Sequence, residues 1–235
     1  MFARFTLVLV CVLALFGCQL ESSNSEDDNG SADDNSSTDD NSSTDDNSPT
    51  DDISSIDATW LNRHNELRAL VNTGTIPDDG TDGNYPLATP AIPSLTWNTT
   101  LAQVAQNYAN KCSYGHNGNR RQDYVALGGE DINIGENIAA HWFSSADGDA
   151  SDYALRQIDL WWDEHRDWHY QRFQSASVND AGHFTQMAWA NTVELGCGIA
   201  LCSNFENQGL DAYFGVCNYS PAGNYLDQFP YQIAH

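Results

Sequence analysis

A change of composition at Asp57 divides the chain into a part that can bury a hydrophobic core and a part that cannot. Before it, residues 19–56 repeat an acidic hexapeptide, as in Asp33-Asp-Asn-Ser-Ser-Thr. The stretch from Glu21 to Ile56 contains twelve acidic residues and no basic ones. Because such a segment has few apolar side chains to offset the entropy lost on ordering, we predict a disordered acidic linker over residues 19–56.

Residues 57–235 make a second part, which is large enough for one folded domain. It contains 21 acidic and 8 basic residues, so the acidity of the chain is not confined to the linker. Binding to a nucleic-acid backbone needs clustered Lys and Arg, and so does attraction to anionic lipid headgroups. The charge therefore argues against a nucleic-acid partner and against direct binding to a membrane surface.

The first eighteen residues have the pattern of an export signal. Arg4 supplies a positive charge, and an apolar run from Thr6 to Phe16 follows. This run is shorter than the ~20 residues of a membrane-spanning helix. Residues 15–18, Leu-Phe-Gly-Cys, resemble a bacterial lipobox, in which the cysteine is lipidated after cleavage. Lipidation of Cys18 and ordinary signal cleavage both stay open, and both predict an extracellular or cell-surface protein.

Apolar periodicity predicts helices followed by strands. We predict helices over Thr59–Asn72, from Thr99 or Thr100 to Ala109 and over Asp152–His169, and strands over Phe184–Trp189, Glu194–Leu201 and Ala212–Tyr219. Residues 72–93 and 115–129 are predicted to be loops. This order of elements indicates an α+β layered domain. Gly196 and Gly198 lie within a predicted strand, which indicates a bulge or the close approach of another backbone.

Four cysteines lie in the predicted domain, at positions 112, 197, 202 and 217. An even number of cysteines in an exported domain indicates two disulfides, and the sequence leaves three pairings open. Their spacing does not match that of a zinc knuckle.

Two histidines and two glutamates lie in distinctive local motifs: His116 in Cys-Ser-Tyr-Gly-His-Asn, Glu136 in Gly-Glu-Asn-Ile, Glu164 in Trp-Trp-Asp-Glu and His183 in Gly-His-Phe-Thr-Gln-Met-Ala-Trp. Together with residues 61–68 and 217–225, these motifs resemble the signatures of the CAP superfamily, which includes cysteine-rich secretory proteins, antigen 5 and pathogenesis-related plant proteins. Gly215 departs from the pattern, since an apolar residue is usual there. The resemblance implies a three-layer α-β-α sandwich over residues 57–235, in which the four side chains line one cleft.

The resemblance also bears on the disulfides. It implies a bridge between Cys202 and Cys217, across a hairpin whose turn is residues 204–209. Relatives carry extra cysteines just before the segment of His183, and this chain lacks them. The second expected bridge is therefore Cys112–Cys197.

His116, Glu136, Glu164 and His183, called the tetrad below, have side chains of the types found in metal sites. Neutral imidazole is a good ligand for zinc and similar divalent ions, and a carboxylate can orient a ligating histidine. We therefore predict a divalent cation, zinc for preference, held by His116 and His183. Glu136 and Glu164 would accept the other ring N–H of each imidazole or hold a metal-bound water.

Other functions stay open for the same four residues. A glutamate beside a histidine can act as a general base, so a hydrolase acting on an extracellular substrate is one alternative. A cleft that takes a small ligand or lipid is another, and a monomeric scaffold that recognises a protein partner is a third. A buried hydrogen-bond network without a ligand is the structural alternative. The sequence contains no Gly-x-Ser-x-Gly motif and no His-Glu-x-x-His motif.

The remaining histidines and the tryptophans have simpler interpretations. His165 and His169 lie four residues apart on a predicted helix and could chelate a metal, although the neighbouring charged residues indicate a solvated face. We predict a structural hydrogen bond for His64 and loop packing for His141. Four tryptophans are expected to fill the core: Trp161, Trp162, Trp168 and Trp189.

Overall fold

A computed structural model describes residues 54–76, 86–174 and 178–234. The predicted export signal at residues 1–18, the lipidation site Cys18 and the linker up to residue 53 lie outside the described residues. The described chain has five α-helices: α1 Ser55–Thr73, α2 Thr99–Ala109, α3 Arg120–Ala126, α4 Ala150–Asp163 and α5 Val178–Met187. Its four strands are β1 Thr96–Trp97, β2 Gly135–Phe143, β3 Glu194–Cys202 and β4 Asp211–Ser220.

The strands form one mixed sheet in the order β1-β3-β4-β2. Strand β1 pairs with β3 in parallel, and the other two pairs are antiparallel. Because side chains alternate between the two faces of a strand, each face packs against different helices. Leu195 and Cys197 share a core with Trp60 of α1 and Trp161 of α4. Helix α2 covers the opposite face, so the predicted α-β-α sandwich is confirmed.

Several predicted elements differ from the structure. Residues 184–187, predicted to be strand, belong to α5. Successive residues from Phe184 to Trp189 are all buried, so the run has no amphipathic period that would indicate a helix. Helix α3 lies inside the predicted loop 115–129, and α4 ends at Asp163. Helix α1 begins at Ser55, two residues before the predicted domain boundary.

The predicted disulfide pairing is wrong. The structure joins Cys112 to Cys202 and Cys197 to Cys217 instead. The β3–β4 register places Cys197 directly opposite Cys217, with 4.1 Å between the two Cα atoms. The same register places Cys202 opposite Ala212, so Cys202 and Cys217 are separated by about 16 Å of strand, beyond the reach of a disulfide.

The predicted close approach at Gly196 and Gly198 is confirmed, and the approaching backbone is that of α2. A Cβ atom on Gly196 would lie 2.6 Å from the carbonyl oxygen of Asn98, at the start of that helix. Gly215 has a different neighbour, since the side-chain amide of Gln157 fills the space that its Cβ would need. That amide donates to the carbonyl oxygen of Tyr213 at 2.9 Å.

His64 links α1 to the sheet, as predicted for a structural hydrogen bond. Its Nδ1 lies 2.8 Å from the carbonyl oxygen of Trp60, and its Nε2 lies 2.9 Å from the hydroxyl of Tyr219. Since a carbonyl only accepts, Nδ1 carries the proton and Nε2 accepts from the tyrosine. Asn137 of β2 donates to the same hydroxyl oxygen at 3.0 Å. Burial is the main cause that lowers the pKa of His64 to about 4.

The buried His64 should make the domain less stable in acid. The unfolded chain binds a proton at the ordinary histidine value of about 6.5, whereas the folded chain resists protonation down to about 4. Stability is therefore complete above the unfolded pKa and falls as the pH drops from about 6.5 to about 4. Between about pH 7 and pH 5 this histidine should remove about 2 kcal/mol from the free energy of unfolding.

Denaturant unfolding of the wild type and of His64→Gln, each at both pH values, measures this contribution. The substitution should remove about 2 kcal/mol of pH dependence, whatever its effect at neutral pH. His169→Gln is the matched control because His169 is exposed, and its pH dependence should equal that of the wild type. Equal pH dependence in the wild type and His64→Gln would contradict the prediction.

Candidate functional site

His116 and Glu136 form the first of two histidine–glutamate pairs. Glu136 is the second residue of β2, and its side chain is 1% exposed. One of its carboxylate oxygens, Oε1, accepts from the backbone N–H of Asn117 at 2.8 Å and lies 2.9 Å from His116 Nδ1. The His116 side chain is 57% exposed. The buried glutamate therefore fixes one side of an imidazole whose other side faces solvent.

His183 and Glu164 form the second pair. Glu164 follows α4 and begins a short 3-10 turn, and His183 lies in α5 just after a break at Ala181. Glu164 Oε2 accepts from the backbone N–H groups of His183 and Phe184, at 2.7 and 3.2 Å. Its Oε1 lies 2.5 Å from His183 Nδ1. The carboxylate thus caps the helical segment that resumes after the break and holds the ring of its first histidine.

Both pairs present the imidazole in the same way. An ionised carboxylate only accepts hydrogen bonds, so the neutral form of each imidazole carries its proton on Nδ1 and its lone pair on Nε2. The ring of His183 also stacks on Trp161, with 6.0 Å between the ring centroids and 26° between the planes. Within the described residues, Nε2 of neither histidine has a hydrogen-bond partner. Each ring is therefore oriented with a lone pair available to a ligand.

Strand β2 connects the two pairs. Glu136 belongs to the first, and the next residue, Asn137, donates from Nδ2 to the carbonyl oxygen of His183 at 3.2 Å. No hydrogen bond or ion pair among the described residues joins one pair directly to the other. The structure thus organises the predicted tetrad as two pairs, anchored through neighbouring residues of one strand.

The imidazole nitrogens are of a type that binds divalent cations. In residues 54–76, 86–174 and 178–234, no group of three or more His, Cys, Asp or Glu side chains is placed to hold a metal ion. Glu136 Oε2 is buried and has no hydrogen-bond partner in the described part of the chain. A buried carboxylate oxygen without a donor fits a nearby cation or a water that it binds.

The alternative chelating pair of His165 and His169 is not supported. His165 is buried, and its Nδ1 bonds to the carbonyl oxygen of Trp162 at 2.7 Å. His169 is exposed and lies beyond the end of α4, so the helical spacing of four residues does not apply. His141 packs against Tyr153 with 5.2 Å between ring centroids, but from β2 and not from a loop. The predicted core role of the tryptophans is confirmed for Trp161, Trp162, Trp168 and Trp189.

Two site residues were missed in the sequence, namely Asn117 and Asn137. Each directly follows a tetrad residue, so a polar side chain beside His116 and another beside Glu136 were the available signal. Their parts could not be predicted because one acts through its backbone N–H and the other through a contact 46 residues away. All four cysteines of the described chain are in disulfides, so none of them is available as a nucleophile.

Comparison with known proteins gives consistent matches. The family model for CAP, the cysteine-rich secretory protein family, matches residues 61–219. Venom allergen 3 of Solenopsis invicta is 35% identical over 178 residues, which cover 74% of this chain and 70% of that protein. No helix within the described residues is long and apolar enough to span a membrane.

Solved structures agree with the sequence matches. Na-ASP-1 is 31% identical with a TM-score of 0.62, and the match covers 77% of this chain and 42% of that one, so this chain spans less than half of its length. A structure described as NaASP2 with Zn²⁺ is 26% identical with a TM-score of 0.64, covering 80% of this chain and 90% of that one.

Proposed function

Because the chain belongs to the cysteine-rich secretory protein (CAP) family, we propose that it is an exported protein that binds a divalent metal ion through Nε2 of His116 and His183. The observation that carries this proposal is the shared orientation of the two rings. In each, a glutamate accepts a hydrogen bond from Nδ1–H, which leaves the Nε2 lone pair outside that hydrogen bond. Carboxylate partners of this kind fix the tautomer and raise the basicity of ligating histidines.

Zinc is the ion that this donor set favours, since imidazole nitrogen is one of its usual ligands. Support also comes from the relative NaASP2, whose structure is described with Zn²⁺. With two protein ligands, the remaining coordination positions would be filled by water or by a ligand. A bound cation would therefore stay open to a further molecule outside the cell.

Removing either histidine should weaken zinc binding by about 100-fold or more, because each supplies half of the protein ligands. Changing Glu136 to Gln should weaken it about 10–100-fold, as expected for a group that orients a ligand. Binding should also weaken in acid, since an imidazole must be neutral to coordinate. Calorimetric titration of the metal-stripped protein measures all three effects. His169→Ala removes an exposed histidine outside both pairs and should bind zinc as the wild type does.

Stoichiometry separates one shared site from two independent ones. A shared ion predicts one zinc per chain in the wild type and none at the same concentrations in His116→Ala or His183→Ala. Two separate sites would give two ions in the wild type and one in each variant. Equal zinc uptake by the wild type and both variants would place the metal elsewhere and overturn the proposal. Loss of an extracellular hydrolytic activity in parallel with zinc would favour a hydrolase over a binding protein.

A further inference from the structure

A cavity of about 390 Å³ lies between α3 and the segment that follows β4. Residues 118, 120–122, 133–134 and 222–225 supply its walls. Two of its lining residues are linked to the histidine segments: Gly118 follows His116 by two residues, and Asn224 donates to the carbonyl oxygen of Gly182, next to His183.

The charge of this cavity is opposite to that of the chain. The whole sequence has 33 acidic and nine Lys or Arg residues. Of the ten residues that line the cavity, none is acidic and two are arginines, Arg120 and Arg121. Arg121 pairs with Asp131 at 2.8 Å, so its charge is already balanced. Arg120 has no carboxylate partner within the described residues, and its positive charge is directed into a concave site.

Arg120 is also held in a fixed position. Its Nε donates to the carbonyl oxygen of Ile134 at 2.6 Å, and its Nη1 donates to that of Asn117 at 3.0 Å. Two carbonyls thus use two of the five guanidinium N–H donors and orient the planar group. Nη2 has no hydrogen-bond partner among the described residues. A guanidinium anchored in this way is pre-organised to bind an oxyanion.

The other polar side chains that line the cavity can donate hydrogen bonds to an anion. The side-chain amides of Gln122 and Asn133 line the same cavity and make no hydrogen bond to another described residue. Each amide offers two N–H donors. Tyr225, which is also partly exposed, adds a hydroxyl donor at the rim. The cavity therefore combines potential donors from three segments of chain with one arginine that lacks a carboxylate partner among the described residues.

We propose that this cavity is a binding subsite for the anionic group, phosphate or carboxylate, of a small ligand, with Arg120 as its charged partner. The subsite does not depend on the proposed metal ion, since every group in it belongs to the protein. Recognition by one arginine and neutral donors should be weak for a bare anion and stronger for a ligand that fills the cavity.

The test is a titration of the full-length, metal-stripped protein with inorganic phosphate, in which NMR spectra monitor binding. Chloride keeps the ionic strength constant. A second titration with acetate ranks the two anion types. We expect saturable shifts of the backbone amide signals of Gly118, Asn133 and Gly223. Arg120→Gln should weaken binding about tenfold or more, because it removes a charge-assisted hydrogen bond. Arg172→Gln is the matched control, since Arg172 also lines a surface cavity without a carboxylate partner in the described chain.

A second variant keeps the test informative if Arg120→Gln does not fold. Asn133→Asp leaves the backbone contact between Asn133 and Ala222 in place but adds a negative charge inside the cavity, so it should also weaken phosphate binding. The proposal is overturned if the shifts do not saturate, if they occur away from the cavity, or if Asn133→Asp binds phosphate as the wild type does. An equal loss in Arg120→Gln and Arg172→Gln would mean a general charge effect and would overturn it as well.

Discussion

Replacing Arg68 by methionine should lower the free energy of unfolding by about 4 kcal/mol or more. Arg68 is 1% exposed, and its guanidinium donates five hydrogen bonds to four carbonyl oxygens. The carbonyls of Met187 and Thr192 belong to buried residues, and the variant would leave both without a donor. The carbonyl of Trp189 would keep the backbone N–H of Thr192 at 3.2 Å. Each buried carbonyl that loses its partner costs about 1–3 kcal/mol.

The charge of Arg68 persists in the folded protein. Burial lowers its pKa to about 10, which still leaves it protonated at neutral pH. Among the described residues no Asp or Glu pairs with it, so carbonyl dipoles balance the buried charge. Arg68→Lys should therefore be intermediate, since the ammonium keeps the charge but has three donors in place of the planar fork.

Arg63→Met is the matched control on the same helix. The Arg63 side chain is 33% exposed and pairs with Glu66 and Asp159, and such surface pairs contribute about 1 kcal/mol or less. Denaturant unfolding of both variants, with the disulfides intact, measures the difference. If Arg68→Met loses no more stability than Arg63→Met, the anchoring role assigned to Arg68 is wrong.

The second large effect is expected for Gly196→Ala, which should cost about 3 kcal/mol or more. The added methyl group would meet backbone atoms of Asn98, Leu101 and Ala102, and backbone cannot move aside as a flexible side chain can. Helix α2 would have to separate from β3. Since α2 packs against β3 and β4, its displacement would expose the core beneath it.

Gly118→Ala provides the comparison for that experiment. No atom lies within 4 Å of the position that its Cβ would take, and its φ is not positive. This substitution should change the free energy of unfolding by less than about 1 kcal/mol. Thermal unfolding without reductant compares the two variants directly. A melting temperature for Gly196→Ala equal to that of Gly118→Ala would contradict the close approach of α2.

Local chemistry made several features predictable from the sequence. Gly196 and Gly198 of β3 lack a side chain where a strand normally presents one. The close approach of another backbone to this strand could therefore be predicted. Helix α2 was predicted within one residue of its start, although its cap is Asn98, whose Oδ1 accepts from the N–H of Leu101 at 3.0 Å. The segment from Phe184 is buried on all sides, so its sequence has no alternation of apolar and polar residues at helical spacing. It was therefore wrongly predicted to be a strand.

The sequence by itself determined the family, the layered fold and the residue types of the candidate site, because these depend on motifs, periodicity and composition. The tertiary structure decided which side chains contact each other. The bridge from Cys197 to Cys217 follows from a strand register, and a shift of one residue in that register would place these side chains on opposite faces. The hydrogen bond between Glu164 and His183 likewise depends on how the helices pack on the sheet. So do the hydrogen bonds that Arg120 donates to the carbonyl oxygens of Ile134 and Asn117. Contacts between distant segments are set by packing of the whole domain, which no local pattern records.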